Sequence, residues 1–161
     1  MYFSKSEFFA LTNKDAILQM LGNNSTYSTY ENSTYGIHVE YPSGWTNQES
    51  NTIGTLIKIV TFVSPTGPDS NPTAEVSIYM DKLHNSTTTL NNYAHFDAFT
   101  DYENRPSDFH AFKLLELSTN SSILAGKPAY TIIGTYQNPA FGLQQLMETG
   151  TIIGDKAYSV Q

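Results

Sequence analysis

The sequence predicts an α+β domain, in which a central antiparallel sheet of about six strands lies between helical layers as an α/β/α sandwich. Three observations predict it. The run from Ser122 to Gln161 holds three apolar, β-rich segments, Ala129–Tyr136, Leu143–Ile153 and Ala157–Gln161, separated by Gln137-Asn138-Pro139 and by Gly154-Asp155. A Gly-Asp pair directly after Ile152-Ile153 is a strong short hairpin signal, so the run reads as a meander. Thr55–Val63, TLIKIVTFV, is apolar on both faces, with Ile57, Ile59 and Val63 against Leu56, Val60 and Phe62. Such a strand is covered above and below, which points to helices on both sides of the sheet. Finally, Thr87–Asn104 carries the one long helical pattern, with Leu90, Tyr93, Ala94, Ala98 and Phe99 on one face and Pro106 beyond its end.

The elements follow in order. Within residues 4–21, Phe8, Leu11, Ile17, Leu18 and Leu21 are loosely helical in spacing, and Thr12 or Asn13 offers an N-cap for a helix over Asp15–Leu21 that ends at Gly22. Residues 1–22 therefore read as an N-terminal docking helix segment, and 23–161 as the main domain. Asn23–Ser33 is a polar linker reaching a first short strand near Tyr30. Residues 35–45, YGIHVEYPSGW, place Ile37, Val39 and Tyr41 on one strand face and His38 and Glu40 on the other, before Pro42-Ser43-Gly44 turns the chain. Trp45, the only Trp, follows that turn, packed into the core or lining a pocket with Tyr41 and the loop Ser64–Pro72. Ala74–Leu83 is a strand with Val76, Ile78 and Met80 inward. Phe109–Leu117 is another, and the polar Ser118–Ser122 reads as a turn into the meander.

Composition narrows the function classes. At 161 residues the chain has the length of a single domain, enough to bury roughly two-thirds of its unfolded surface. Charged residues make up only 14%, whereas Ser, Thr and Asn fill 48 positions. The net charge of −7 and the lack of a Lys/Arg run argue against nucleic acid as a partner. No apolar stretch approaches the roughly 20 residues of a membrane span. With no Cys, disulfides and thiolate metal sites are excluded. Five Asn-x-Ser/Thr sequons, at Asn23, Asn24, Asn32, Asn85 and Asn120, fall in expected loops. Together with the charge-poor surface they point to an exported glycoprotein. Met1–Leu21 lacks a basic-then-apolar layout, so an export signal is expected to have been removed or to lie outside this sequence.

Five segments in order carry a resemblance: YENSTYGIHVEYPSGW (30–45), IVTFVSPTGP (59–68), TLNNY (89–93), ILAGKPAYTII (123–133) and GDKAYSV (154–160). Together they resemble the PsbP-like family, the fold of the photosystem II extrinsic subunit and of its non-photosynthetic relatives in bacteria and archaea. The resemblance spans about residues 30–161. It implies an α/β/α sandwich around an antiparallel sheet, in proteins mostly exported or membrane-anchored that act without enzyme activity as assembly factors or binding modules. Members of the family usually continue past KAYSV into a C-terminal helix, which is absent here. The face left bare is expected to be covered by the Met1–Leu21 helix, in the same molecule or by exchange with a second copy. No acidic or His cluster matches a family metal site, and the photosystem role is not carried over.

Residue patterns for chemistry are weak. His38 and Glu40 share a strand face but lack a third ligand. Asp97 and Asp101 stand at i,i+4, as on a solvated helix face. No G-x-S-x-G elbow occurs, and Ala125-Gly126-Lys127 lacks the spacing of a phosphate loop. The sequence assigns no catalytic residue, cofactor or metal. It predicts a non-catalytic binding or structural module at a cell surface, with a protein partner or self-association. The alternative is a small-molecule or metal-binding accessory domain.

Overall fold

A computed structural model describes residues 2–3, 26–50, 56–67, 74–85, 87–98, 102 and 109–161. The strands are β1 (Tyr2–Phe3), β2 (Tyr27–Asn32), β3 (Ile37–Pro42), β4 (Thr46–Glu49), β5 (Leu56–Val63), β6 (Glu75–Lys82), β7 (His110–Leu124), β8 (Lys127–Asn138), β9 (Gly142–Ile153) and β10 (Lys156–Val160). Between β6 and β7 a short helix, α1 (Leu90–Asn92), continues as a π-helical turn over Tyr93–Ala98. The chain divides into two compact units, Met1–Met80 with Val160 and Asp81–Ser159 with Gln161. Pairing is mostly antiparallel, and helix is scarce among the described residues.

In the first unit β3 lies between β1 and β2, and β5 lies between β4 and β6. The turn from β2 to β3 is closed by Asn32, whose Oδ1 accepts the backbone N–H of Thr34 at 3.1 Å and of Tyr35 at 3.3 Å. Along β3 the expected alternation holds, with Ile37, Val39 and Tyr41 buried and His38 and Glu40 half-exposed. Tyr2 and Phe3 add a parallel strand opposite His38 and Val39. The helix expected over Asp15–Leu21 lies outside the described residues.

Strand β5 is covered on both faces, since Ile59, Val60, Thr61 and Phe62 are all buried. The cover differs from the expected helices on one side. The Phe62 ring meets Tyr41 at a centroid distance of 4.7 Å and Tyr30 edge-on at 5.8 Å. That face of β5 therefore packs on the β2–β3 hairpin, a second sheet. The hydrophobic demand of a two-sided strand is non-directional, and an aromatic hairpin meets it as well as a helix does. On β5 and β6 the buried hydroxyls of Thr61 and Ser77 satisfy each other at 2.8 Å. Strand β4 was not expected: its four residues, TNQE, are all exposed and carry no apolar alternation.

In the second unit the order is β10-β9-β8-β7. The expected meander forms β8, β9 and β10, and the Gly154-Asp155 turn joins the last two, with Gly154 at φ +65°. The turn expected over Ser118–Ser122 is instead strand: β7 continues through it, pairing Thr119 with Tyr130 and Ser122 with Ala129, with a register shift between them. At its end the polarity of Ser122 is satisfied across the ladder, where its Oγ lies 3.0 Å from Thr131 Oγ1 and the latter 3.5 Å from Thr149 Oγ1. The reversal comes at Ala125-Gly126, at φ +50° and +72°, a two-residue turn with both residues left-handed.

Helix α1 starts at Leu90, later than the Thr87 of the sequence pattern, because Thr89 caps it by accepting the Asn92 N–H at 3.2 Å. Its apolar face is as expected: Tyr93 and Ala94 join Tyr102, Phe109, Tyr130, Ile132, Leu146 and Ala157 in one buried cluster, and Leu90 packs against it. Residues 99–101 and 103–104 of the expected helix lie outside the described residues.

Two expected outcomes follow from this packing. An alanine at the left-handed position 125 is strained, and asparagine is favoured there, so Ala125→Asn should raise stability by about 0.5–1 kcal/mol in chemical unfolding. A Cβ on Gly150 would stand 2.5 Å from Cζ of the fully buried Tyr130. Gly150→Ala should therefore cost about 2–3 kcal/mol, and an unchanged unfolding midpoint would contradict the packing.

Candidate functional site

Tyr41 and Trp45 flank the reversal after β3 in the first unit. The Trp45 N–H closes that turn on the Pro42 carbonyl at 2.9 Å, and Ser43 Oγ donates to the Thr26 carbonyl at 2.9 Å. Both rings are only 7% exposed. The Tyr41 ring lies against Phe62, and its hydroxyl accepts from Asn47 Nδ2 at 2.9 Å. The start of the Ser64–Pro72 loop is close by, with Pro65 Cγ 3.9 Å from where a Cβ on Gly44 would stand. Residues 68–72 of that loop lie outside the described residues. The Tyr41 and Tyr30 rings both contact Phe62, and Trp45 is buried beside the turn.

The titratable side chains singled out in the sequence do not converge. His38 pairs across the β2–β3 ladder with Glu31, Nδ1 to Oε1 at 2.9 Å, while Glu40 stands two residues further along β3. His84, His95 and His110 are exposed on separate elements. Among the described residues no group of three or more His, Asp or Glu is arranged to hold a metal ion. Of the sequon asparagines, Asn32 ends β2, Asn85 lies in the loop before α1 and Asn120 lies within β7. Asn23 and Asn24 fall outside the described residues.

The second unit holds a buried polar cluster that the sequence reading missed. Glu148, on β9, is 8% exposed. Its Oε1 accepts the hydroxyl of Tyr130 on β8, and its Oε2 accepts that of Tyr102. The Tyr102 oxygen in turn accepts Gln161 Nε2 at 2.9 Å. Tyr130 reaches Glu148 by lying across Gly150, its directly paired residue on β9. Burial first, and the Glu148 charge second, hold the Tyr130 phenol well above its ordinary pKa. The one available signal was a single charged residue inside the apolar run Leu143–Ile153. Because both carboxylate oxygens are engaged, the cluster acts as a clamp. It ties β8, β9, Tyr102 and Gln161 together.

The surface of the second unit offers a different feature. Leu115, Phe141 and Leu143 are 54%, 60% and 65% exposed. Phe141 lies in the β8–β9 turn, where Asn138 Oδ1 accepts the N–H groups of Ala140 and Phe141, and Leu143 stands at the start of β9. His110 and Leu143 both lie opposite Gln137, so the start of β7 and this turn share one end of the sheet. Single exposed apolar residues are ordinary, but neighbouring ones at a sheet end, as Phe141 and Leu143 are, are a usual mark of a contact surface; Leu115 stands further along the edge strand β7.

The clamp gives the protein an alkaline limit. Below pH about 10 the Tyr130 phenol is neutral in both folded and unfolded chains; above it only the unfolded chain ionises freely, so stability falls as pH rises. Chemical unfolding between pH 8 and 11.5 should show this loss, at up to about 1.4 kcal/mol per pH unit for the one proton. Tyr130→Phe should make that limb shallower. At neutral pH it should cost about 1–3 kcal/mol through the donor Glu148 loses. An unchanged alkaline slope would contradict the assignment.

No family model matches the sequence, and no curated protein matches it. Among solved structures, the chain is similar to cyanobacterial PsbP (CyanoP) from Synechocystis sp. PCC 6803, determined in solution. The TM-score is 0.61 at 14% identity, over 86% of this chain and 79% of that one. At that identity the likeness bears on backbone architecture alone. It agrees with the resemblance carried by the five ordered sequence segments: the chain has a PsbP-like fold.

Proposed function

We propose that this protein is a non-catalytic binding or structural module that works outside the cytoplasm, at a cell surface, through contact with a protein partner or with a second copy of itself. The observation that carries the proposal is the PsbP-like fold joined to a charge-poor sequence rich in Ser, Thr and Asn with five sequons. The exposed Phe141 and Leu143 at one end of the second unit's sheet, with the exposed Leu115 on its edge strand β7, support the binding role. Self-association is supported by Tyr2–Phe3, a terminal strand of two residues, since such a strand exchanges between copies at little cost. The covering role of residues 1–22 belongs to this same reading. The small-molecule and metal-binding alternative is not favoured, because Tyr41 and Trp45 are buried and no ligand set gathers among the described residues.

The test is native-source fractionation and purification of the tagged protein. The expected outcome is recovery in the exported or surface fraction with a co-eluting partner or as an oligomer. Leu115→Ser/Phe141→Ser should lose the partner with little change in unfolding midpoint. Deletion of residues 1–22 should instead lose the oligomer and lower the midpoint by uncovering the face they are read to cover. A deletion that stays monomeric and equally stable would count against that covering role. A cytosolic, monomeric protein with nothing bound would overturn the reading.

A further inference from the structure

Two sequon asparagines have side chains whose contacts are defined, and they are held in opposite ways. Asn85 follows β6 in an exposed loop. Its Oδ1 accepts the Thr87 backbone N–H at 3.0 Å and the Thr87 hydroxyl at 2.8 Å. Its backbone carbonyl accepts the Thr88 N–H at 3.1 Å. The hydroxyl that defines the sequon is therefore already on the acceptor amide, fixing the oxygen and turning Nδ2 outward. Among the described residues nothing engages that nitrogen. Asn32 shows the reverse. Its Oδ1 is occupied by two backbone N–H groups, and its Nδ2 donates to Tyr30 Oη at 3.2 Å and approaches Glu49 Oε1 at 3.5 Å. Tyr30 itself donates to Glu49 at 2.8 Å, so a substituent on Asn32 Nδ2 would break into a partly buried network.

We propose that Asn85 is an acceptor site for an N-linked glycan and that Asn32 is not. In the transfer, Asn85 Nδ2 bonds to the anomeric carbon of a lipid-linked oligosaccharide. That carbon's bond to the phosphate leaving group breaks, and the Nδ2 proton passes to a base of the transferase. The base of the loop is anchored, since the Leu83 N–H donates to the Asp155 carbonyl at 2.9 Å. The glycan would thus stand on a fixed loop, clear of the buried cluster. The inference rests on the export reading only for the protein to meet such a transferase in its own cell.

The test uses the full folded chain, made in a host that does not glycosylate, with purified oligosaccharyltransferase and lipid-linked oligosaccharide. Occupancy is read by peptide mass mapping. The Asn85 peptide should be modified at least tenfold more than the Asn32 peptide. Thr87→Val should abolish its modification, and Thr87→Ser should keep it, with all variants matching the parent in unfolding midpoint. An unmodified Asn85 peptide beside a modified control acceptor, or equal occupancy at Asn32, would overturn the inference. A cytosolic location of the native protein would instead overturn the export reading and leave the in vitro result standing.

Discussion

The approach of Tyr130 across the bare backbone of Gly150 fixes the second unit. A phenol lying over the directly paired residue of the next strand needs that residue to have no Cβ, and only one register of β8 against β9 supplies this. Sliding the pair by one residue would also exchange the buried and outward faces of both strands. The hydroxyl that arrives at the far side of Gly150 then needs an acceptor, because a buried phenol without one is costly. Glu148, two residues earlier on β9, is that acceptor, and its second oxygen recruits Tyr102. Gly134 repeats the device on β8, where the Phe112 ring occupies the space a Cβ would take.

The first unit reaches the same end by different means. Its centre is Phe62, fully buried, with Tyr30 and Tyr41 placed against it by the β2–β3 ladder. Here register is set by alternation along β3 and by the β2–β3 turn, which Asn32 closes and Gly36 ends at φ +66°. In both units the polar groups that enter the core arrive as neighbours across strands: Thr61 with Ser77 in one, and Ser122, Thr131 and Thr149 in the other. A chain so rich in Ser and Thr can build sheets of this kind because a hydroxyl both donates and accepts.

Such an architecture leaves its polar groups inside occupied with one another. The buried carboxylate, the phenols and the aromatic cluster around Tyr41 all have partners within the fold, which places the opportunity for recognition on the surface. The chain is poor in charge, so under the proposed binding role long-range steering would contribute less than contact. Contact through a few exposed apolar side chains, on a scaffold stiffened by ladders and clamps, is the mode this chemistry supports.

Much of the fold was legible because β-structure writes its needs locally. The two-sided apolarity of Leu56–Val63, the alternation of Ile37, Val39 and Tyr41, the Gly154-Asp155 turn and the apolar face beginning at Leu90 are each statements about neighbours a few residues apart. What covers a strand is a different matter. Apolar surface asks only to be removed from water, so the sequence of β5 could demand a second layer without saying whether helix or hairpin would provide it. Polar strand residues were hidden for a related reason: Ser118–Ser122 and β4 look like loop until a neighbouring ladder pairs them. The Glu148 clamp was hidden most deeply, since Tyr102, Tyr130, Glu148 and Gln161 are far apart along the chain, and only tertiary packing brings a carboxylate and two phenols to one point.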